Sequence, residues 1–342
     1  MFADMATRLF AEHVTPATLV AAEDGSIDGL LWSAIEENGL TIAAAPEALG
    51  GVGARWSEAG AIVRAAGRHA VPDPLAESVF ANWLLGRVGL EPLSGAVTLG
   101  GRGTMAGGLF TGALAGVPWG RNAGHVVAST QGANAMLVVL PCVAAQVTEG
   151  ANTAREPRDT LVFEGVEPVA HAPLAAVGGD AIMLGGASIR AAQIAGALER
   201  LLDIAIDYAN QRVQFGRGIG KFQAIQHQLA VLAEQASLAS AAAELALATS
   251  DTASSPHAVA AAKSVASEAA GEGAAIAHAV LGAIGFTYEH TLHFTTRRLW
   301  SWRGEFGGQT YWAQLLGSAM CAAGPDGYWP LLTGTTSNRA VR

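Results

Sequence analysis

Apolar residues change their spacing twice along this chain, and the two changes divide it into three parts. In residues 1–92 they recur at helical intervals broken by glycine turns. Ile27, Leu30, Leu31, Ala34 and Ile35 share one helical face, with Ser26 placed as an N-cap and Gly39 just past the end. Leu75, Val79 and Trp83, four apart, mark a second helix, and the stretch from Ala45 to Gly53 between them reads as a loop with at most one helical turn. In residues 93–175 the apolar positions crowd into short β-rich runs, Ala96–Leu99, Leu109–Leu114, His125–Ser129, Met136–Leu140 and Leu161–Phe163, separated by glycine- or proline-bearing turns. That pattern predicts a small antiparallel β domain; no run leads promptly into a long helix, which argues against a βαβ nucleotide fold here. In residues 176–342 helical spacing returns over long segments. Ile194, Leu198, Leu201, Ala205 and Tyr208 form one stripe, and Ile225, Leu229, Leu232, Ala236 and Ala239 the next. A third helix opens at Ser255-Pro256 and runs to about Leu281. The expected fold is mainly α with a small β domain, ending in an antiparallel helical bundle.

Composition narrows this picture. Of 342 residues 51% are hydrophobic and 14% charged, far from a disordered balance, and aromatics at 6% leave Ala, Leu, Val and Ile to build the core. A net charge of −9 argues against nucleic acid as a partner but not against a small anion held by a local arginine. Cys142 and Cys321 lack any redox or zinc spacing and read as reduced thiols. Residues 1–13 carry no leader pattern, and the longest apolar run, Ala135–Ala145, is interrupted by Pro141 and about half of what a membrane span needs. A cytoplasmic protein without a membrane span is expected. His290 and His293 stand three apart, but no carboxylate–histidine set accompanies them, so no metal site is expected.

The chemistry concentrates between the first two bundle helices, in Arg212-Val213-Gln214-Phe215-Gly216-Arg217-Gly218-Ile219-Gly220-Lys221-Phe222-Gln223. Its glycines end one helix and Phe222-Gln223 opens the next, so Arg212 and Arg217 flank a turn beside unpaired helix N–H groups, a good place for a phosphate. The glycine spacing fits neither a Rossmann loop nor a P-loop. The run Arg-x-Gln-Phe-Gly, followed by Ile219, Phe222-Gln223 and Gln226, resembles the signature of the acyl-CoA dehydrogenase family. In register with it, Trp32 to Gly53 is similar to the family's N-terminal domain, Asp159 to Val166 to the strand leaving its β domain, and Leu281 to His290 to its last glycine-rich turn. The resemblance covers most of the chain. It implies an N-terminal helical domain, a middle β domain and a C-terminal four-helix bundle; dimers, tetramers or a hetero-oligomer with a second such chain; FAD as cofactor; and α,β-desaturation of an acyl-CoA, in which a carboxylate takes the α proton, the flavin takes the β hydride and an electron-transfer flavoprotein accepts the electrons. Residue by residue, it implies that Arg212 binds the pyrophosphate of a neighbouring subunit's FAD, that Gln214 and Phe215 contact the same cofactor, that Gln223 lies at its adenosine side, and that Gly282 belongs to the flavin-binding late turn.

Three departures from the family pattern bear on activity. The Thr-Glu-Pro-x-Ala-Gly-Ser-Asp stretch of its β domain is replaced by Gly95 to Arg102; the late turn has Ala279 where it usually begins with Gln and Ala283 after Gly282; and the third concerns the base. The usual position of the catalytic glutamate aligns with Phe306 and the alternative position with Gly186, while Glu305 lies one residue before the first and is the candidate base. Four readings follow from this set: a dehydrogenase complete in itself, a catalytically degenerate partner in a hetero-oligomer, a flavin-free scaffold, and an oxidase or monooxygenase on the same fold.

Overall fold

The computed structural model describes residues 2–132, 134–250 and 255–333. Five helices come first: α1 (Phe2–His13), α2 (Pro16–Ala21), α3 (Gly29–Glu37), α4 (Trp56–His69) and α5 (Leu75–Arg87). The cap of α3 is Asp28, whose carboxylate accepts from the N–H groups of Leu30 and Leu31, rather than Ser26, whose own N–H is taken by Asp24. The loop at 45–53 holds a single 3₁₀ turn, Glu47–Leu49.

Seven strands follow, β1 (Val97–Ala106), β2 (Leu109–Pro118), β3 (His125–Thr130), β4 (Met136–Pro141), β5 (Gln146–Thr148), β6 (Arg158–Val166) and β7 (Ala170–Pro173), in the order β5-β6-β2-β1-β3-β4-β7. The expectation of a purely antiparallel domain is corrected at one seam, because β1 and β3 run parallel. β2 stays with β1 only through Thr104–Ala106 and then pairs with β6. The turn after β2 returns the chain to the start of β1, where the Gly124 N–H donates to the Ala96 carbonyl at 2.9 Å, so β3 must run alongside β1 in the same sense. Within this pair one extra residue of β1 lies between Leu99 and Arg102, a bulge at Gly100-Gly101.

The C-terminal helices are α6 (Ala181–Gln211), α7 (Gln223–Ser250), α8 (Pro256–Leu281), α9 (Leu292–Trp302) and α10 (Gln309–Thr333), the last broken at Gly324 ahead of Pro325. A two-stranded hairpin, β8 (Val213–Gln214) with β9 (Arg217–Gly218), joins α6 to α7. Ser255 caps α8 ahead of Pro256, accepting from the Ala258 N–H at 3.3 Å. By length and composition α6, α7 and α8 could each cross a membrane, although none is one unbroken apolar run; most of the apolar stretch of α6 is buried inside the protein. That helix is the spine of the fold. It touches α4 and α5 on one side and α7, α8 and α9 on the other. Contact with α4 is made through glycine. A Cβ on Gly196 would strike the Arg64 carbonyl oxygen, and one on Gly67 the Gln193 carbonyl oxygen, so the two backbones meet with no side chain between them.

Candidate active site

Three elements meet around a cavity of about 900 Å³. The β domain supplies Leu99 to Arg102 at the bulge, with Ala115, Gly116, Pro118, Ser129 and Arg158; the start of α6 supplies Gly179 to Met183, and the segment after α9 supplies Gly304 to Phe306. Gly101 has open space where a Cβ would be, so the bulge gives this wall bare backbone. The volume suits a ligand larger than a simple metabolite.

Glu305 is one wall of this cavity, and its carboxylate is fully engaged. Arg158 donates to it from Nε at 2.8 Å and Nη2 at 3.0 Å, Arg190 from Nε at 2.7 Å, and Asn152 from Nδ2 at 3.1 Å. Burial by itself would raise its pKa, but the two guanidiniums outweigh that and hold the carboxyl well below the usual carboxylate range. The pairing extends beyond the cavity. Arg190 reaches Glu77 of α5 and Gln193; Arg158 reaches Glu156; and Glu156 is met in turn by Arg298 and by the Trp302 indole N–H. Three carboxylates, on Glu77, Glu156 and Glu305, thus face three guanidiniums, on Arg158, Arg190 and Arg298, across all three regions of the chain.

Beneath the same segment Lys263 is fully buried and donates to Ser267 Oγ at 3.0 Å and to the carbonyls of Trp302 at 3.2 Å and Arg303 at 2.9 Å. Burial pushes its pKa down to about 7. These bonds tie the end of α9 to α8 immediately before Gly304-Glu305-Phe306. Phe306 takes a positive φ of 51°, and its ring lies against Gly186, where any Cβ would collide with it. The two positions that align with family glutamates are therefore neighbours in space, and a phenyl ring packed on a glycine fills the place.

The other sequence-derived residues lie elsewhere. Arg212 caps the end of α6, Gln214 and Phe215 are on the hairpin, Gln223 starts α7 and Gly282 ends α8 at a φ of 64°. All five are exposed, Phe215 at 92%, and none lines the cavity. Arg217 stacks on Phe222, its guanidinium 4.2 Å from the ring centroid. His290 and His293 are tied into the turn before α9: His290 Nδ1 accepts from the Leu292 N–H, and His293 Nδ1 bonds the His290 carbonyl. Trp302 is buried, whereas Trp300 borders the cavity under Arg303.

Comparison with known proteins places this geometry. The acyl-CoA dehydrogenase N-terminal domain matches residues 1–91, and the acyl-CoA dehydrogenase C-terminal domain matches residues 183–303. The chain is 32% identical to the acyl-CoA dehydrogenase IpdE2 of Mycobacterium tuberculosis over 310 residues, 87% of this chain and 89% of that one. The chain belongs to the acyl-CoA dehydrogenase family. It is thereby an oxidoreductase by descent. Its fold is shared with a steroid acyl-CoA dehydrogenase, Tcur3481-Tcur3483 (TM-score 0.85, 24% identity, 94% of this chain and 97% of that one). It is also shared with the ChsE4-ChsE5 complex of M. tuberculosis (TM-score 0.82, 22% identity, 95% and 97%).

Against that family frame, sequence reasoning missed Arg102, Asn152, Arg158, Arg190 and Lys263. One signal was available. Lys263 is the one lysine or arginine of a long Ala- and Gly-rich helix and Arg190 sits in the Ala- and Gly-rich half of another, and a charge on such a core-facing surface needs a buried partner. The acid behaviour of Glu305 is testable. Because its folded pKa is depressed, the stability it contributes is complete above the ordinary value of 4.5 and is lost as pH falls toward the folded value. Wild-type unfolding free energy should therefore drop more steeply than that of Glu305→Gln below about pH 4.5. Parallel acid limbs in urea titrations would show that this carboxylate carries no such linkage.

Proposed function

We propose that this chain is a partner-type subunit of an FAD-dependent acyl-CoA dehydrogenase: it supports a flavin shared with a second chain, and that second chain supplies the carboxylate that abstracts the α proton. The observation that carries this reading is the pairing of Phe306 with Gly186 where a base would stand, while the nearby Glu305 is saturated by Arg158, Arg190 and Asn152. A general base must offer a lone pair and a proton affinity near the working pH, and this carboxylate offers neither.

The residues present fit a dinucleotide held across an interface. Arg212 is an exposed cation at a helix end, beside the exposed start of α7, and both suit a diphosphate. Phe215, nearly fully exposed with a left-handed backbone, suits contact with another molecule rather than with its own core. Gln214 is exposed on the hairpin, Gln223 at the start of α7 and Gly282 at the end of α8, and none of the three lines the cavity. When bound, FAD would supply hydride acceptance from the β carbon, with the electrons leaving through an electron-transfer flavoprotein. The two-chain designations of Tcur3481-Tcur3483 and ChsE4-ChsE5 favour the same kind of assembly here.

The test is to purify the full chain alone and after co-expression with an acyl-CoA dehydrogenase encoded beside it. Yellow protein that bleaches anaerobically with an acyl-CoA is expected only from the mixed assembly. In that assembly Arg212→Ala should release most of the flavin, and Glu305→Gln should leave turnover per bound flavin within about threefold, since no proton passes through it. Bleaching by the lone chain, abolished by Glu305→Gln with flavin retained, would overturn the proposal in favour of a self-sufficient enzyme. Colourless protein in both preparations would leave a flavin-free scaffold.

A further inference from the structure

We infer that a second pocket, where the N-terminal helices meet the bundle, binds a small organic carboxylate, with Arg200 and Arg68 at its head and Leu19 and Phe294 against a short apolar body. This pocket shares no lining residue with the cavity at Glu305, and the inference stands apart from the flavin reading above.

Residues of α1, α2, α6 and α9, with the end of α4, enclose a space of about 400 Å³. Its ionisable lining is of one kind. Arg68, His69 and Arg200 border it, and no Asp or Glu among the described residues does, although the chain as a whole carries a net charge of −9. Cations gathered in one concavity without a facing carboxylate leave a local positive potential, which selects an anion. Arg68 is partly neutralised from outside the pocket, by Asp203 and by Glu199 at 3.8 Å. Arg200 differs. It is exposed, and it has no hydrogen-bond or ion-pair partner among the described residues. Burial lowers the pKa of His69, and the charges of Arg68 and Arg200 lower it further, as expected where cations face one another with no anion between them. The His69 Nε2 is buried and has no hydrogen-bond partner among the described residues.

The rest of the lining is largely apolar. Leu19, Ala70 and Phe294 form a small buried cluster of their own, apart from the two main cores, with Val14 packed against it, and all four border the pocket. Three side chains make little core by themselves, and an apolar ligand body would enlarge it. A bare inorganic anion gains nothing from that wall, and a neutral or basic molecule gains nothing from the arginines. A carboxylate on a short chain uses both, because a guanidinium forks onto its two oxygens. Thr291 adds a hydroxyl: it stands at the N-cap of α9 yet makes no side-chain cap bond. The space is at the small end of the range for ligand sites, which sets the length of the body.

Calorimetric titration of the full chain with hexanoate, hexanamide and inorganic phosphate decides the point. Hexanoate should bind saturably. Hexanamide, alike in shape but uncharged, and phosphate, charged but without an apolar body, should each bind at least about tenfold more weakly. Arg200→Gln should raise the hexanoate Kd about tenfold, and Arg200→Lys only about threefold, since the charge stays while the fork is lost. Ala11→Trp, on α1 at the pocket, should fill the space and abolish uptake. Arg200 and Ala11 are both exposed, so the unliganded variants should melt with the wild type, which separates lost binding from lost folding. The inference is overturned if hexanoate gives no saturable heat, or if hexanamide or phosphate binds as tightly. It is overturned equally if Arg200→Gln and Ala11→Trp both leave the hexanoate Kd within about twofold of wild type, because the ligand then sits elsewhere.

Discussion

Replacing Arg190 with methionine should lower the unfolding free energy by about 3–5 kcal/mol, the cost of leaving a buried carboxylate without its cation. Arg190 is 1% exposed and serves three partners at once: Glu77 on α5, Gln193 one turn along its own helix, and Glu305 beyond α9. Methionine fills much of the volume but returns none of these bonds. Glu305 would keep Arg158, whereas Glu77 would keep no cation among the described residues, so the damage should fall mainly at the joint between the N-terminal helices and α6. Arg190→Lys should recover only part of the loss, since a point-like ammonium cannot reach three acceptors in a fixed fork. Urea unfolding followed by tryptophan fluorescence reports this directly, because Trp302 donates to Glu156 within the same network. A loss below about 1 kcal/mol would mean that water, rather than protein, solvates these charges.

Gly196→Ala should cost about 3 kcal/mol, although alanine is the better helix former by about 1 kcal/mol. The added methyl would meet the Arg64 carbonyl oxygen of α4, and backbone cannot rotate aside as a side chain can. Separation of α4 from α6 would also disturb the reciprocal contact at Gly67 and the ion pairs of Arg64 and Arg68 with Glu199 and Asp203. Gly317→Ala is the control. Gly317 lies exposed on α10 with open space around its Cβ position, so there the same substitution should stabilise by about 0.5–1 kcal/mol. If both substitutions moved stability in the same direction, helix propensity rather than close packing would govern Gly196.

These two sites show which features the chain announces by itself. The Ala- and Gly-rich texture of residues 181–211 signals close helix approach, and the apolar stripe fixes which face is buried. Neither identifies α4 as the helix that approaches. A cation such as Arg190 inside that texture signals a buried partner without identifying Glu77 or Glu305. The β domain behaves alike. Five of its strands could be read from short apolar runs, yet the parallel seam between β1 and β3 could not, because it depends on where the turn at Asn122-Ala123-Gly124 sets the chain down. Strands β5 and β7, three and four residues long, are too short to leave a run of their own, and the helices α1, α2, α4, α9 and α10 were not individually read, since their apolar residues do not fall in clean stripes.

What the sequence determined alone is local: the succession of helices, β strands and helices, the Ser255-Pro256 start of α8, and the Arg212 hairpin motif that carries the family resemblance. Caps, periodicity and turns act over a few residues, so they are written in spacing. The tertiary structure alone decided what surrounds the carboxylate. Glu305 meets Arg158 and Arg190 across 147 and 115 positions of chain, and Phe306 closes over Gly186 across a comparable distance. Charge pairing and steric filling depend on proximity in space, and no interval along the chain encodes it.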